Sequence, residues 1–571
     1  MLGVIARKAL RFLSPSEGSE KGASANSDIQ GAGGVPLPLC NADALTGEYD
    51  VCVVGAGPAG LACALRAHEN KLRVLVLEAG AHAPVPGEPD VLAAEIMHPR
   101  FHDPTDIIAA SALGGSSHWW GGRCTPFDTA DFRHWPIAYA DMQPWWRKAA
   151  AFLGSRALSE SEAPGAFARL KDFDARRDET WGPELNMARR WRARIANPNG
   201  PSIVLRARVI GLEICNDAVS GLRVRKDGAE TAVKARQYVL ACGGLGVLRL
   251  LLLAQRDHPA LCGGADGPLG RGYMGHLTGA IAELEPSAPA DIAAFATRPL
   301  GGEVFARRRL RPREHAIVDQ RIANTAFWVE SNASHDPRHG SAVGSAKYLA
   351  ARFAKAALRR GKNDAALKPH IDNVARAPLS AAAGLGHALY LLAAARLTGR
   401  HPRGAVLLPS APGRWLLFYH AEQARDPSNR VGLCDSVDSL GLQRLKIDFQ
   451  MRDADFDAVV RAHDLLDADL RAAGAGALHW SCAMERRAEL VRESARDGYH
   501  QMGGACMSAD ARNGVVDADL RVHGLANLSL ATAAVFPSGG QANPTLTIVA
   551  LALRLADRLA LRQPKSALAA A

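Results

Sequence analysis

None of the ten cysteines, at positions 40, 52, 63, 124, 215, 242, 262, 434, 482 and 506, stands in a C-x-x-C pair or at a regular interval. That absence argues against a thiolate metal centre and a disulfide framework, and it points to a reducing compartment, the cytoplasm. Cys52, Cys63, Cys215 and Cys242 lie inside apolar runs instead, where cysteine packs as a small hydrophobe. There is also no run of five basic residues, although 68 Lys+Arg against 58 Asp+Glu gives a net charge of +10. The excess is arginine scattered among alanines, a solvated face rather than a nucleic-acid footprint.

A secretory leader is not expected either. Such a leader places its charges before an unbroken apolar core, whereas Met1–Leu13 has apolar residues before and between Arg7, Lys8 and Arg11. As a helix it is amphipathic, with Leu2, Ile5, Ala9 and Phe12 on one side, which leaves peripheral contact with the inner membrane surface open. Ala377–Ala395 contains nineteen residues without Lys, Arg, Asp or Glu, nearly enough to span a bilayer. It is mostly alanine and holds Pro378, Gly384, Gly386 and His387, so a buried or interfacial helix pair is expected. No internal repeat is present.

With 571 residues, the chain has room for two to four domains or one elaborate two-domain enzyme. Residues 14–46, rich in Ser, Gly, Pro and Ala, read as a linker. Structure begins at 48–80, where a buried strand runs into a glycine turn, then a helix, then a second strand ending at Glu78. The turn Gly55-Ala56-Gly57-Pro58-Ala59-Gly60 fits G-x-G-x-x-G, and Glu78 lies at the distance where an acid accepts from a ribose hydroxyl. Glycines let the backbone approach a pyrophosphate, and the helix N-terminus supplies donors and dipole. A dinucleotide site is therefore expected. A second strand-turn-helix follows at 235–255, with alternating strands at 202–240 before it and a tryptophan-rich loop region at 101–146. Beyond 280 the pattern becomes irregular strands, an Ala/Arg helical block at 341–400 and a helix from 453. The last ninety residues return to strand and helix.

The decamer "GYHQMGGACM" (498–507) is, by itself, ordinary loop material around His500. Three blocks together resemble the glucose-methanol-choline (GMC) flavoprotein oxidoreductases: "VVGAGPAGL" with "VLEAG", "ALGGSSHWWGGRC", and the ordered run from "GYHQMGG" through "RVHGL" and "FPSGGQANPTL" (498–557). "VLACGGLGVLRLLL" and "GPLGRGYMGH" fit too, so the resemblance covers about 48–560. The GGSS-x-x-W-GG loop and "HAEQARDPSNRV" are most similar to bacterial members acting on sugars and polyols.

The resemblance implies an α/β fold with a Rossmann-like FAD-binding domain assembled from discontinuous segments and a sheet-and-helix substrate-binding domain. The expected boundaries are a tail and linker at 1–47, FAD-binding segments at 48–280 with a lid at 101–150, the substrate domain at 281–498, and a final FAD-binding segment at 499–571. It places the active-site base at His500 and its partner at Asn543. Gly55, Gly57, Gly60 and Glu78 fall on the ADP site, and Gly114, Gly115, Ser116, Ser117 and His118 on the flavin loop. Val209 supplies a backbone contact to adenine, while Ala533, Pro544 and Thr545 border the flavin pyrimidine ring.

Two departures follow from the same comparison. Members with covalent flavin have GG-x-x-x-His-Trp, but here Trp119 stands at that histidine's place and His118 one residue early, so non-covalent FAD is expected. The frequent Gly-Thr-x-Arg-Met after the base is Gly503-Gly504-Ala505-Cys506-Met507. The chemistry implied is oxidation of a small-molecule alcohol: His500 takes the hydroxyl proton, Asn543 holds the oxygen, and hydride passes to flavin N5. Electrons would leave to oxygen, a quinone or a cytochrome. Rival readings are a lyase on the same fold with structural FAD, an oxidase or dehydrogenase of a non-sugar alcohol in natural-product metabolism, an NADPH-using enzyme, and a non-enzymatic binding protein. For NADPH, a second nucleotide unit built around the glycine turn is wanting.

His276 and His523, in matching blocks, read as structural. Trp119, Trp120, Trp145 and Trp146 read as core or lid packing before a sugar-stacking wall. His420 and Glu422 are candidates for reaching the substrate cavity.

Overall fold

The computed structural model describes residues 42–85, 92, 94–301, 303–332, 335–356, 367–386, 407–497 and 499–562. The amphipathic Met1–Leu13 segment and most of the expected linker lie outside them. Residues 42–46, expected as the linker's end, instead form a 3-10 turn, because Leu45 is buried in the core.

A five-stranded sheet organises the first half of the molecule. Its order is Leu528–Leu530, Ala235–Leu240, Tyr49–Val54, Val74–Leu77, Ser202–Val204, and every neighbouring pair is parallel. The central strand is apolar on both faces from Val51 to Val54, as a parallel sheet covered on two sides demands. Helices Pro58–Glu69, Gly244–Asp257 and Thr545–Arg562 pack around it. The first and last of these are locked by a two-pronged Arg66–Asp557 pair, Nε to Oδ1 at 2.6 Å and Nη2 to Oδ2 at 3.0 Å. Trp146 donates from Nε1 to Thr547 Oγ1 at 3.0 Å, tying the helix Tyr139–Leu153 to the same C-terminal helix.

A second, four-stranded antiparallel sheet runs Thr325–Glu330, Trp415–Glu422, His276–Pro286, Gly476–Trp480. The helix Asp453–Ala473 lies on it, with Phe456, Val459, Leu466 and Leu470 buried. The strand from His276 carries chain out of the parallel-sheet half, and the loop after 497 brings it back. Function therefore depends on where these two crossings meet.

Of the Ala377–Ala395 run, residues 387–395 fall outside the described set. Residues 378–386 are helical, with Ala381 packed against Ala342 and Ala346 while Leu379 is 85% exposed. Among the described residues no helix is long and apolar enough to cross a membrane. The described cysteines are all free. Cys52 and Cys63 are fully buried, and burial pushes the Cys63 thiol up to about 12. Cys215 departs from the small-hydrophobe expectation: it ends its strand, where the alternation turns outward, and is exposed.

Candidate active site

The three glycines of the first turn do three different things. Gly55 has φ of 101°, and a Cβ there would lie 2.7 Å from the Ala241 carbonyl oxygen, so the turn is pressed against the neighbouring strand end. A Cβ on Gly60 would sit 1.9 Å from the Gly55 oxygen, which fixes how closely helix and turn pack. Gly57 is different: it caps the helix without a side-chain hydrogen bond, and a Cβ there would meet nothing nearer than the Gly115 Cα at 3.9 Å. The open space lies where helix N–H groups point outward, the arrangement that accepts a pyrophosphate. Gly243, which precedes the helix Gly244–Asp257, also faces open space, with nothing within 4 Å of a built Cβ, but differs in its φ of 81°.

Glu78 closes this site. Its Oε2 accepts from Ala56 N at 2.8 Å and its Oε1 from Gly80 N at 2.9 Å, while burial pushes its pKa up to about 7. Each oxygen keeps a second lone pair for a ribose hydroxyl. Val209 is buried two residues beyond Ala207, whose N–H donates to the Glu78 carbonyl at 2.9 Å. These residues fit the adenosine and pyrophosphate portion of FAD.

The loop at Gly114–His118 folds onto the dinucleotide turn. Gly114 and Gly115 have φ of 98° and 53°, and a Cβ on Gly115 would fall 2.8 Å from Gly57 Cα. Ser117 is buried and donates to Gly114 O, while Ser116 is exposed. His118 donates from Nε2 to Leu113 O at 2.9 Å, so its Nδ1 accepts from Asn186 Nδ2 at 3.1 Å. Trp119 is 51% exposed, Trp120 donates to Leu185 O, and Trp146 is fully buried. Trp145 is half-buried under Lys148.

His500 stands where the two crossings meet. Its loop pairs with the first one through Met274 and Met502, whose N–H and C=O groups exchange hydrogen bonds at 2.7 and 3.0 Å. Gly503 and Gly504 then pass backbone that no side chain would clear: a Cβ on Gly503 would lie 2.1 Å from Gly272 O. The G-x-G-x-x-G spelling recurs at Gly270–Gly275, but there it leads into a strand and serves this crossing. Gly503 N donates to Ala533 O at 3.1 Å, which ties the buried turn Ala533–Val535 to the His500 loop. Asn543, Pro544 and Thr545 open the last helix and aim its N-terminus at the same place.

The half-buried His500 ring has Nδ1 2.7 Å from His276 Nδ1 and Nε2 3.3 Å from Asn543 Nδ2. Burial, then His276 and Arg309, hold the His500 imidazolium well below its usual range, so the ring is neutral. Asn543 Oδ1 accepts from Arg309 Nη2 at 3.1 Å. Arg309 also donates from Nη1 to Gln541 Oε1 at 3.0 Å and from Nε to Glu179 Oε2 at 2.7 Å. Burial alone would raise Glu179, yet Arg307, Arg309 and Arg123 hold it at about 2. His420 stacks on His276 with centroids 4.0 Å apart, and its Nδ1 donates to Gln541 O at 2.7 Å. Beside it, Glu422 accepts from Gly540 N at 3.3 Å, and burial lifts its pKa to about 7.

The side-chain nitrogens of His276, His420 and His500 lie within 4.8 Å of one another. The stacked pair, however, is only 29° from parallel, so the in-plane lone pairs of His276 and His420 run side by side instead of converging on one point. The cluster is organised for hydrogen bonding.

His500 and Asn543 are thus brought together, and the glycine turns, Glu78 and the flavin loop line one continuous region. His276, read from sequence as structural, turns out to touch His500 directly. Arg309, Gln541 and Glu179 were not anticipated. The available signal was the run Arg307-Arg308-Arg309 at the end of the short strand Phe305–Arg308, three successive cations that are all buried.

Over residues 50–362, more than half of the chain, the sequence matches the family model of the FAD dependent oxidoreductases, and residues 426–552 match that of the GMC oxidoreductases. The chain therefore belongs to the FAD-dependent oxidoreductases and is an FAD-dependent oxidoreductase enzyme whose C-terminal part is of the GMC type. It is 25% identical over 562 residues to the 6'''-hydroxyparomomycin C oxidase of Streptomyces lividus, covering 90% of this chain and 91% of that protein. A 60-residue stretch, 10% of this chain and 11% of its counterpart, is 48% identical to the fructose dehydrogenase large subunit of Gluconobacter japonicus. The fold is shared with the formate oxidase of Aspergillus oryzae RIB40, with a TM-score of 0.51 at 15% identity over 90% of this chain and 98% of that one. An FAD-dependent oxidoreductase from Chaetomium thermophilum aligns with a TM-score of 0.50 at 16% identity, over 89% and 98%.

Proposed function

We propose that this enzyme oxidises a primary or secondary hydroxyl of a sugar, glycoside or polyol-like molecule, with His500 as base and Asn543 as the group that holds the substrate oxygen. The observation that carries this reading is the pairing of His500 Nε2 with Asn543 Nδ2 at 3.3 Å. A hydroxyl at that edge donates its proton to Nε2 and accepts from the amide, so proton abstraction and orientation occur at one point. Bound FAD would supply the acceptor for the hydride that leaves the same carbon. Arg309 fixes the amide from behind, and its buried charge favours the oxyanion that forms as the proton leaves. The sugar-like substrate is supported by the named activities of the Streptomyces and Gluconobacter relatives.

The cofactor is read as dissociable, since both ring nitrogens of His118 are already engaged and Trp119 replaces the linking histidine. We read segments 48–280 and 499–571 as FAD-binding and 281–498 as substrate-binding, with the strand His276–Pro286 crossing between them. A cytoplasmic location with peripheral contact through Met1–Leu13 rests on sequence alone, and vesicle co-sedimentation at low salt tests it.

The test of function is anaerobic flavin absorbance with a panel of sugars, glycosides, polyols and simple alcohols, beside His500→Ala. Bleaching by one class and its loss in the variant is the expected result. A fully loaded flavin that no compound bleaches would favour the lyase reading. Reoxidation by oxygen, a quinone or a cytochrome then identifies the acceptor.

A further inference from the structure

On the reading of His500 as base, we propose that His276 is a positioning residue that holds His500 in the tautomer protonated on Nδ1, leaving Nε2 bare toward the substrate. The argument starts from a group with no choice of role. The Gly540 carbonyl can only accept, and His276 Nε2 lies 2.9 Å from it, so Nε2 carries the hydrogen. A neutral imidazole has one N–H, which makes His276 Nδ1 an acceptor. Burial pushes the His276 imidazolium down to about 3, so the neutral ring is the relevant one. His500 Nδ1, 2.7 Å away, must then donate, and His500 Nε2 keeps its lone pair. The opposite tautomers would face a lone pair of His276 against the Gly540 oxygen.

A second chain reaches the same atom from the other side. Arg309 has only donors, so the amide atom 3.1 Å from it is Oδ1, and Asn543 turns Nδ2 toward His500. A donor at that position requires Nε2 to accept. Two chains, one anchored at Gly540 and one at the Arg309–Glu179 pair, therefore assign the same tautomer. The backbone supports the register: the Asp497 carbonyl accepts from His276 N at 2.9 Å and His500 N at 3.4 Å. His420, stacked on His276 and bonded to Gln541 O, keeps the ring from turning. Neutral His276 does here what a carboxylate does in hydrolytic triads, without adding charge next to the base.

The test begins with unmodified holoenzyme labelled with 15N-histidine, using long-range 1H–15N correlation, with the His500 signal assigned by its loss in His500→Gln. The expected spectrum has a protonated Nδ1 and a bare Nε2. His276→Leu removes the acceptor, moves the proton toward Nε2, and slows flavin reduction by about 10²- to 10³-fold at little change in substrate Kd. His276→Asn places an amide oxygen where Nδ1 stood, keeps the tautomer, and recovers about tenfold or more of that loss. An Nε2-protonated His500 in the unmodified enzyme would overturn the proposal without any variant having to fold. So would equal losses in the Leu and Asn variants with the tautomer unchanged, the signature of a merely structural residue. The tautomer is read without substrate, so an enzyme that bleaches with no alcohol while His500 stays Nδ1-protonated supports this assignment and sinks only the proposed reaction.

Discussion

Arg309 Nη2 donates to Asn543 Oδ1 at 3.1 Å, and that single bond decides which end of the amide faces His500. Asn543→Asp keeps an oxygen for Arg309 but turns an anionic oxygen, not a donor, toward His500 Nε2. A nearby anion favours the imidazolium, so the His500 pKa rises from its depressed position and the acid limb of the flavin-reduction profile moves to higher pH. Asn543→Ala removes the hold on the substrate oxygen and slows reduction by roughly 10- to 100-fold, with a smaller displacement of the limb. Stopped-flow profiles of the two variants should differ in this way; identical acid limbs would remove the amide from contact with the base.

The acid limb of the unmodified enzyme is itself a prediction. Burial first, then His276 and Arg309, depress the His500 pKa, and His420 faces it as a further neutral ring. A base works when unprotonated, so the rate should stay level as pH falls through 6.5 and decline only below it. Folding follows the same sign. Below 6.5 the unfolded chain binds a proton that folded His500 refuses, so this residue's contribution to stability falls as pH drops through that value. His500→Gln should lower the reduction rate by about 10²- to 10⁴-fold while retaining FAD. It should also lessen the acid sensitivity of the melting temperature.

Local constraint explains what could be read directly. Gly55, Gly57, Gly60 and Glu78 belong to one turn and the strand beside it, so spacing alone implied their geometry. The order of motifs after His500 was distinctive enough to place Asn543. Arg309 and Glu179 were not legible, because they pair across 130 positions and a run of arginines ordinarily lies in water. His276 offered only a histidine after a glycine-rich loop, and its role exists only once that loop meets His500, 224 positions later. The strand Leu528–Leu530 joining Ala235–Leu240 is another long-range event with no local pattern to announce it. Cys215 was misjudged for a simpler reason: an apolar run can end at the surface.

Glu78 offers a test of cofactor retention. Its two oxygens accept from Ala56 N and Gly80 N, so Glu78→Gln must turn an NH2 toward one of these donors at a cost of about 1–3 kcal/mol. FAD should dissociate at least about tenfold more readily, read as the flavin-to-protein absorbance ratio after gel filtration. Burial raises the carboxyl to about 7, against the Ala56, Gly80 and Ala79 N–H groups and then Arg208, which oppose the shift. The ionised form accepts better from a ribose hydroxyl, so FAD affinity should rise with pH up to about 7 and then level off. In the Gln variant that rise should vanish. A variant with undiminished flavin content would separate Glu78 from the nucleotide.

Gly57 and Gly60 separate ligand space from packing space within one turn. A Cβ on Gly60 would lie 1.9 Å from the Gly55 oxygen, and backbone must move to admit it. Gly60→Ala should therefore destabilise the protein by about 1–3 kcal/mol or more even without cofactor, as overpacked positions do. A Cβ on Gly57 meets nothing nearer than 3.9 Å, and φ of −73° suits any residue. Gly57→Ala should leave the apoprotein's melting temperature within about 2 °C of the parent, yet weaken FAD binding roughly tenfold or more, because the methyl occupies the approach to the helix N-terminus. Thermal melts of apo and reconstituted forms give both quantities. If Gly57→Ala bound FAD as tightly as the parent, the pyrophosphate would have to lie elsewhere, and the open face of Gly243 would be the next place to look.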